Sequence, residues 1–273
     1  MGFCLDNSPR FQWIELGEVE STNNFLRGYR PLQQPDITLV TAEYQTSGRG
    51  QGKNRWEAEA GKNLLFSLLL RPSSLAASQM FVLSEAVALS IREAAEGMMG
   101  DAAAMPQPTQ REEVTVKWPN DVYVGDRKMA GILIENELKG SRLERCIIGC
   151  GVNVNQREFT FHKTQVTTHN TQGTIVPVSL AQLIEHEVER RFVLEAVMAA
   201  FTHRYEAIQQ GKYAEIHADY LAALYRREGF YTFKDEGGLF QAEIADVEPT
   251  GHLHLRDEKG LMRRYAFKEV AYI

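Results

Sequence analysis

The segment Gln45-Thr-Ser-Gly-Arg-Gly-Gln-Gly-Lys-Asn-Arg-Trp56 puts three glycines and three cations into one stretch that contains no acid. Glycines let backbone N–H groups approach phosphate or carboxylate oxygens, and Arg49, Lys53 and Arg55 neutralise the charge that such a group carries. The segment is therefore either an anion cradle or a solvated glycine loop between two strands, and composition alone leans to the second. It is not a Walker loop, because Asn54 stands where Gly52-Lys53 would need a Ser or Thr, and no helical pattern follows. The alternating Gly48, Gly50 and Gly52 do not fit a dinucleotide fingerprint either.

Three further clusters carry chemistry-bearing side chains. Val116-Lys-Trp-Pro-Asn-Asp-Val122 ends a strand in a Pro-Asn-Asp turn: Lys117 and Asn120 can donate and Asp121 can hold a metal or a ribose hydroxyl, or the segment is a turn and nothing more. Lys128 opens the apolar run Lys128-Met-Ala-Gly-Ile-Leu-Ile-Glu135, where strict alternation puts it on one face with Ala130, Ile132 and Ile134. Its amine either snorkels outward or enters a pocket. Gly149-Cys-Gly-Val-Asn-Val-Asn155 lets backbone pass close to a ligand, and Ser21-Thr22-Asn23 opens a helix, by N-capping alone or with a binding role as well. The sequence has no His-Glu-x-x-His, no paired Cys-x-x-Cys and no Gly-x-Ser-x-Gly, so a structural metal and an α/β-hydrolase elbow are not expected.

The elements that must position these residues are legible in the spacing. Apolar runs at Phe11–Leu16, Ile37–Tyr44, Leu64–Leu70, Val114–Trp118, Val122–Val124, Met129–Leu138 and Cys146–Val154 predict strands. Helical spacing covers Ser21–Tyr29 and Ser78–Ala95, with serine at the N-caps. A long amphipathic stretch follows from a Ser179/Gln182 capping box towards Gln209, and Tyr213–Leu224 comes next. After Arg227, five short strand-like runs with glycine turns predict a small barrel that docks on the main domain, giving domains 1–226 and 227–273. The polar stretches Gly100–Glu113 and Thr160–Thr174 lack periodicity and are expected to be surface loops.

Composition bounds the partners. The 273 residues carry 30 Lys plus Arg against 36 Asp plus Glu, a net charge of −6, which argues against a nucleic-acid or membrane partner. Three cysteines, Cys4, Cys146 and Cys150, make no disulfide framework and suit a reducing compartment, and no run is long enough for a signal peptide or membrane span. A cytoplasmic location is expected. Only about ten residues precede the first predicted strand, so an N-terminal DNA-binding module is not expected in this sequence.

Taken in order, Ser21-Thr22-Asn23, Gln45 with Gly48-Arg49-Gly50, Lys117-Trp-Pro-Asn-Asp121, Lys128 to Glu135 and Gly149-Cys-Gly-Val-Asn153 resemble the biotin protein ligase family over roughly residues 15 to 155. The C-terminal runs resemble the family's SH3-like β domain by texture. The resemblance implies an α+β fold with a mixed, largely antiparallel central sheet flanked by helices, as in class II aminoacyl-tRNA synthetases. It also implies a two-step reaction in which biotin and ATP give biotinyl-5′-adenylate and pyrophosphate, and a lysine of a biotin carboxyl carrier protein or domain then takes the biotinyl group. The first step brings two anions together, a task for Arg49, Lys128 and the glycine loop, which would also keep water from the mixed anhydride.

Position by position, the resemblance puts biotin contacts on Ser21, Thr22, Asn23, Gln45, Arg49, Gly50, Gln51 and Lys128, with Arg49 and Lys128 catalytic. It puts ATP contacts on Trp56, Lys117, Asn120, Asp121 and Asn153. Mg2+ is expected with ATP, without a named ligand, and a homodimer through a sheet edge follows by analogy. Many family members have an arginine where Gln51 stands, so either the glutamine's amide and backbone suffice or a nearby cation compensates. A lipoate protein ligase and a non-catalytic biotin sensor are the competing readings.

Overall fold

Leu64–Leu70 reads LLFSLLL and is buried on both sides, as a central strand must be. In the computed structural model, which describes residues 11–32, 34–52, 54–101, 112–159 and 175–273, it forms β3 (Leu64–Leu70) in the middle of a seven-stranded sheet. Around it lie β1 (Phe11–Val19), β2 (Ile37–Gln45), β4 (Val114–Lys117), β5 (Asp121–Val124), β6 (Arg127–Lys139) and β7 (Arg142–Val152), in the order β1-β2-β3-β7-β6-β5-β4. Only β1 and β2 run parallel; the other pairings are antiparallel. Cys4, Lys53 and the expected loop at 160–174 lie outside the described residues, as does most of the one at 100–113.

Alternation along the strands divides the sheet into two faces. Phe66, Leu68, Ile132, Ile148 and Val116 point to one face, where they form a single large apolar core with α2 (Val82–Asp101), α4 (Arg190–Gln209) and α5 (Tyr213–Ala222). The opposite face carries the short α1 (Thr22–Gly28), anchored by Leu26 in a small cluster with Val40, Leu69 and Ile147.

Four expectations are corrected. Lys128 does not share a face with Ala130, Ile132 and Ile134. The β5–β6 register shifts by one residue between Val122↔Ala130 and Tyr123↔Lys128, and this bulge turns Lys128 onto the face of Gly131, Leu133 and Glu135. Ser78 does not cap α2: residues Ala77–Gln79 form a 3-10 turn whose backbone is held by Ser141, and the helix begins at Val82.

The Ser179/Gln182 capping box is present, but it opens only the single turn α3 (Leu180–Leu183). Asn155 then bonds both backbone groups of Val188, at 2.8 and 2.9 Å, so the chain stays extended there and α4 starts afresh at Arg190. Finally, β8 (Tyr231–Asp235), β9 (Gly238–Val247), β10 (Leu253–Asp257), β11 (Met262–Tyr265) and β12 (Ala271–Tyr272) form an open sheet in the order β11-β10-β9-β8-β12, not a closed barrel. With two residues, β12 is too short to close the sheet.

The C-terminal sheet does dock on the main domain. Phe233, Val247 and Leu253 continue the main apolar core, and Trp118 Nε1 donates to Gly251 O at 3.0 Å. On another side of the junction, His217 of α5 lies between the buried Glu85 of α2 (2.8 Å) and Asp246 of β9 (3.4 Å). Burial raises the Glu85 carboxyl above its usual range, against the pull of His217. Burial alone would lower His217, but its bonds to Glu85 and Asp246 prevail and raise it.

Candidate functional site

The site face of the sheet is floored by glycines. Gly149 sits beneath Asn23, so close that a Cβ there would fall 2.2 Å from Asn23 Oδ1. Gly131 and Gly151, paired across β6 and β7, lie beneath the Trp56 indole, where a Cβ would come within 2.8 and 2.2 Å of ring atoms. The closely approaching groups are thus side chains of the loops above, and any larger residue would push them off the floor.

Above this floor the N-terminus of α1 builds a polar cup. Thr22 N and Oγ1 donate to Gln45 Oε1 at 2.8 and 3.1 Å, and Ser67 Oγ lies 2.7 Å from Thr22 Oγ1 and 2.6 Å from Asn23 Oδ1. Ser21 occupies the N-cap position and is buried, yet its side chain makes no capping bond. Ser67 was not singled out from sequence. The signal was the one hydroxyl in an otherwise aliphatic central strand, at the position facing the site.

The glycine loop is folded rather than merely solvated. Trp56 N donates to Gly48 O at 3.0 Å and Gly50 N to Asn54 O at 2.8 Å, so the segment doubles back as a small hairpin turning at Gly52, whose φ is +66°. Gly48 is required there, since a Cβ would lie 2.3 Å from the Trp56 carbonyl oxygen. The hairpin delivers Arg49 to the site, where Nη1 donates to Glu135 at 2.9 Å and to Asn24 Oδ1 at 3.2 Å. Glu135 also pairs with Arg27 and accepts from Asn23 Nδ2 at 3.1 Å. It is the shared counter-ion of the cup, a role that spacing did not reveal.

Lys128 enters the site rather than snorkelling outward. Its Nζ is 2.6 Å from Asp121 Oδ2 and 5.9 Å from the Trp56 ring centre, and only 18% of the side chain is exposed. Segment 176–178 bonds both its backbone groups, at 2.8 and 2.9 Å. Buried Asn153 braces the same place, its Nδ2 donating to Val178 O at 3.2 Å. Asn120 Nδ2 likewise donates to Ile132 O, at 2.7 Å. Lys117 ends β4 opposite Asp121.

Beside these residues, a cleft of about 280 Å³ runs between the start of α2, the 119–120 turn, β6 and the C-terminal sheet. Gln51 and Asn120 are the predicted residues that line it. Lys268 reaches the loop from the C-terminal sheet, its Nζ 2.8 Å from where a Cβ on Gly52 would be.

The arrangement therefore has a polar cup with Arg49 at its Glu135 side, Lys128 at its Asp121 side, and an aromatic plate over glycine near Lys128. It can bind an uncharged polar group in the cup and offers a cation on either side to anionic groups. Among the described residues no group of three or more His, Cys, Asp or Glu side chains could hold a metal ion, and no helix is long and apolar enough to cross a membrane.

Comparison with known proteins bears on this geometry. The biotin/lipoate A/B protein ligase family matches residues 16–153. A bifunctional ligase/repressor of Bacillus spizizenii is 26% identical over 91% of this chain and 70% of its own length. A biotin–[acetyl-CoA-carboxylase] ligase of Paracoccus denitrificans is 37% identical over 42% of this chain and 43% of its own, so the chain spans less than the full length of both relatives. The structure of a biotin protein ligase from Aquifex aeolicus in complex with biotin and ATP superposes with a TM-score of 0.71, at 23% identity, over 95% of this chain and 97% of that one, a likeness of fold.

Proposed function

The chain belongs to the biotin/lipoate A/B protein ligase family, and from that premise we propose that it is a biotin protein ligase that activates biotin with ATP and passes it to a lysine of a carrier domain. The observation that carries the reading is the pairing, on one glycine-floored face, of the Ser67–Thr22–Asn23–Gln45 cup with Arg49 and Lys128. A ureido ring needs alternating donors and acceptors, which the cup offers. The carboxylate of biotin and the α-phosphate of ATP need cations between them, which Arg49 and Lys128 supply by exchanging their protein partners Glu135 and Asp121 for substrate oxygens.

In the first step a carboxylate oxygen of biotin attacks the α-phosphorus: the acyl–O–P bond forms, the bond to pyrophosphate breaks, and pyrophosphate leaves with the electron pair. In the second, the carrier's lysine amine attacks the acyl carbon, the C–N bond forms, AMP leaves and the amine gives up a proton. Positioning and charge neutralisation are what this chain contributes to both.

Ser21, Gly50 and Gln51 complete the biotin side in this reading. Trp56, Lys117, Asn120, Asp121 and Asn153 serve the nucleotide side, Asn153 and Asn120 by bracing the backbone around Lys128 and β6. Mg2+ would enter as the companion of ATP's phosphates.

The carrier is a biotin carboxyl carrier domain, in line with the carboxylase named for the Paracoccus relative. A second copy would add at β1, whose outer edge has no strand partner among the described residues, whereas β4 is covered through Val116 and Leu224. Buried, unpaired Cys146 and Cys150 suit the reducing cytoplasm. The test is ATP–pyrophosphate exchange. Exchange that depends on biotin supports the reading, exchange that depends on lipoate transfers it to the competing ligase, and biotin binding without exchange makes the protein a sensor.

A further inference from the structure

Lys117 is enclosed by aromatic rings. Its Nζ lies 4.9 Å from the ring centre of Tyr123 on β5, 5.6 Å from that of Tyr225 in the segment after α5, and 5.0 Å from that of Tyr272 on β12. Ring faces attract an ammonium without neutralising it. Among the described residues no carboxylate or other acceptor pairs with this nitrogen: Asp121 is spent on Lys128, and Asp126 accepts from the Tyr225 hydroxyl. Tyr225 is itself fixed by Arg226, whose Nε donates to its hydroxyl at 3.1 Å. Tyr272 is buried and its hydroxyl has no partner, so what this side chain gives the site is its ring.

The charges around the cage are few. Burial pushes the Lys117 pKa down, to about 8; Asp121 opposes the shift, Arg226 and Lys128 add to it, and Asp126 opposes it more weakly. A lysine so placed has donors to offer and a strong incentive to meet an anion.

We propose that Tyr272 is a positioning residue for the nucleotide side of the site: by closing the tyrosine cage from the C-terminal sheet, it keeps Lys117 dry and without a protein counter-ion, available to a phosphate oxygen of ATP. The C-terminal sheet is then a working part of the adenylating site and not only a docked appendage. The inference rests on the proposed function for the identity of the anion, and on the cage geometry for everything else.

The test uses the full chain with lysine labelled at the ε-carbon, Lys117→Arg assigning the resonance, and the variants Tyr272→Phe and Tyr272→Leu. In the wild type, the Lys117 resonance is expected to titrate near 8. Addition of ATP raises that midpoint, and biotin-dependent exchange falls off along an alkaline limb at the same pH. Tyr272→Phe keeps the ring and both midpoints. Tyr272→Leu removes one ring face and opens the cage to water, so both midpoints move together away from the wild-type value, a shift that a merely structural role would not produce. Lys117→Arg, charged at every pH used, removes the limb and so assigns it to Lys117; where Tyr272→Leu does not fold, Tyr272→Met, apolar and flexible but without a ring, takes its place.

A Lys117 that titrates with the bulk lysines, a midpoint unmoved by ATP, or a limb unmoved in folded Tyr272→Leu overturns the proposal. Absence of exchange in the wild type overturns the proposed function instead, and leaves the cage to be judged by the titration with and without ATP.

Discussion

Strand β7 shows both faces of the sheet in one short stretch. Cys146, Ile148, Cys150 and Val152 point to the core, where every one is buried, while the alternating Ile147, Gly149 and Gly151 point to the site. The backbone is the same for both sets, so the difference lies in side-chain volume alone. On the core face, volume is packed against α2, α4 and α5 and contributes stability. On the site face, volume is withdrawn beneath Asn23 and Trp56, and beside that glycine floor stand polar and charged side chains and the small apolar cluster under α1. The two faces place opposite demands on neighbouring residues, and substitutions can exchange those demands one at a time.

The largest effect is expected from emptying the core face. Phe66→Ala should cost about 3–5 kcal/mol of stability, read as a lowered denaturation midpoint, while the KM for biotin at temperatures where the variant is folded stays near the wild-type value. A variant that loses biotin affinity and keeps its stability would break the division of labour.

Next comes removal of the site-face cations. Arg49→Ala and Lys128→Ala should each lower the exchange rate by roughly 100- to 1000-fold with the fold retained. In Arg49→Ala, Glu135 keeps Arg27, while Lys128→Ala leaves Asp121 without its ion-pair partner and loses modestly in stability. Near-normal exchange in both would remove the roles assigned to them.

Filling the site face is expected to be intermediate. Gly151→Val places methyl groups where the Trp56 indole lies, and overpacking of this kind costs about 1–3 kcal/mol. Its signature is a change in tryptophan fluorescence and a raised KM for ATP, with a melting temperature lowered by less than in Phe66→Ala. A fluorescence spectrum like the wild type would show that Trp56 does not rest on this floor.

The smallest effect concerns the junction away from both faces. His217→Leu leaves Glu85 buried without its partner, at a cost of about 1–3 kcal/mol. Because the folded pKa of His217 is raised, the stability it contributes is present in full below its unfolded value and is lost as pH rises through the folded one. Denaturant midpoints at acid and alkaline pH should therefore converge in the variant relative to the wild type, and a constant difference at both would contradict the ion-pair assignment.

Strand positions were legible because alternation and continuous apolar runs report directly on burial, and the Ser179 capping box was legible because its chemistry is local, whereas Ser21 marks the start of α1 without the capping bond expected of it. The face of Lys128 was not: it depends on one bulged residue in β6, which no spacing rule signals. Ser67 and Glu135 escaped for a related reason. Each is ordinary in its own strand and acquires a role only when α1 and the glycine loop are folded over it. The break after α3 is set by Asn155, a residue distant in sequence, and the open form of the C-terminal sheet by a two-residue strand whose Tyr272 turns to Lys117. Motif order carried the family. Tertiary contacts decided which side chain meets which.

The central claim is that the glycine-floored face transfers biotin to a carrier. Its most direct test is the intact mass of a biotin carrier domain after incubation with the protein, ATP and biotin. The account predicts one biotinyl group on one lysine, absent when ATP or biotin is withheld and absent with Arg49→Ala or Lys128→Ala. An unmodified carrier beside folded wild-type protein, or equal modification by the wild type and both variants, would contradict it.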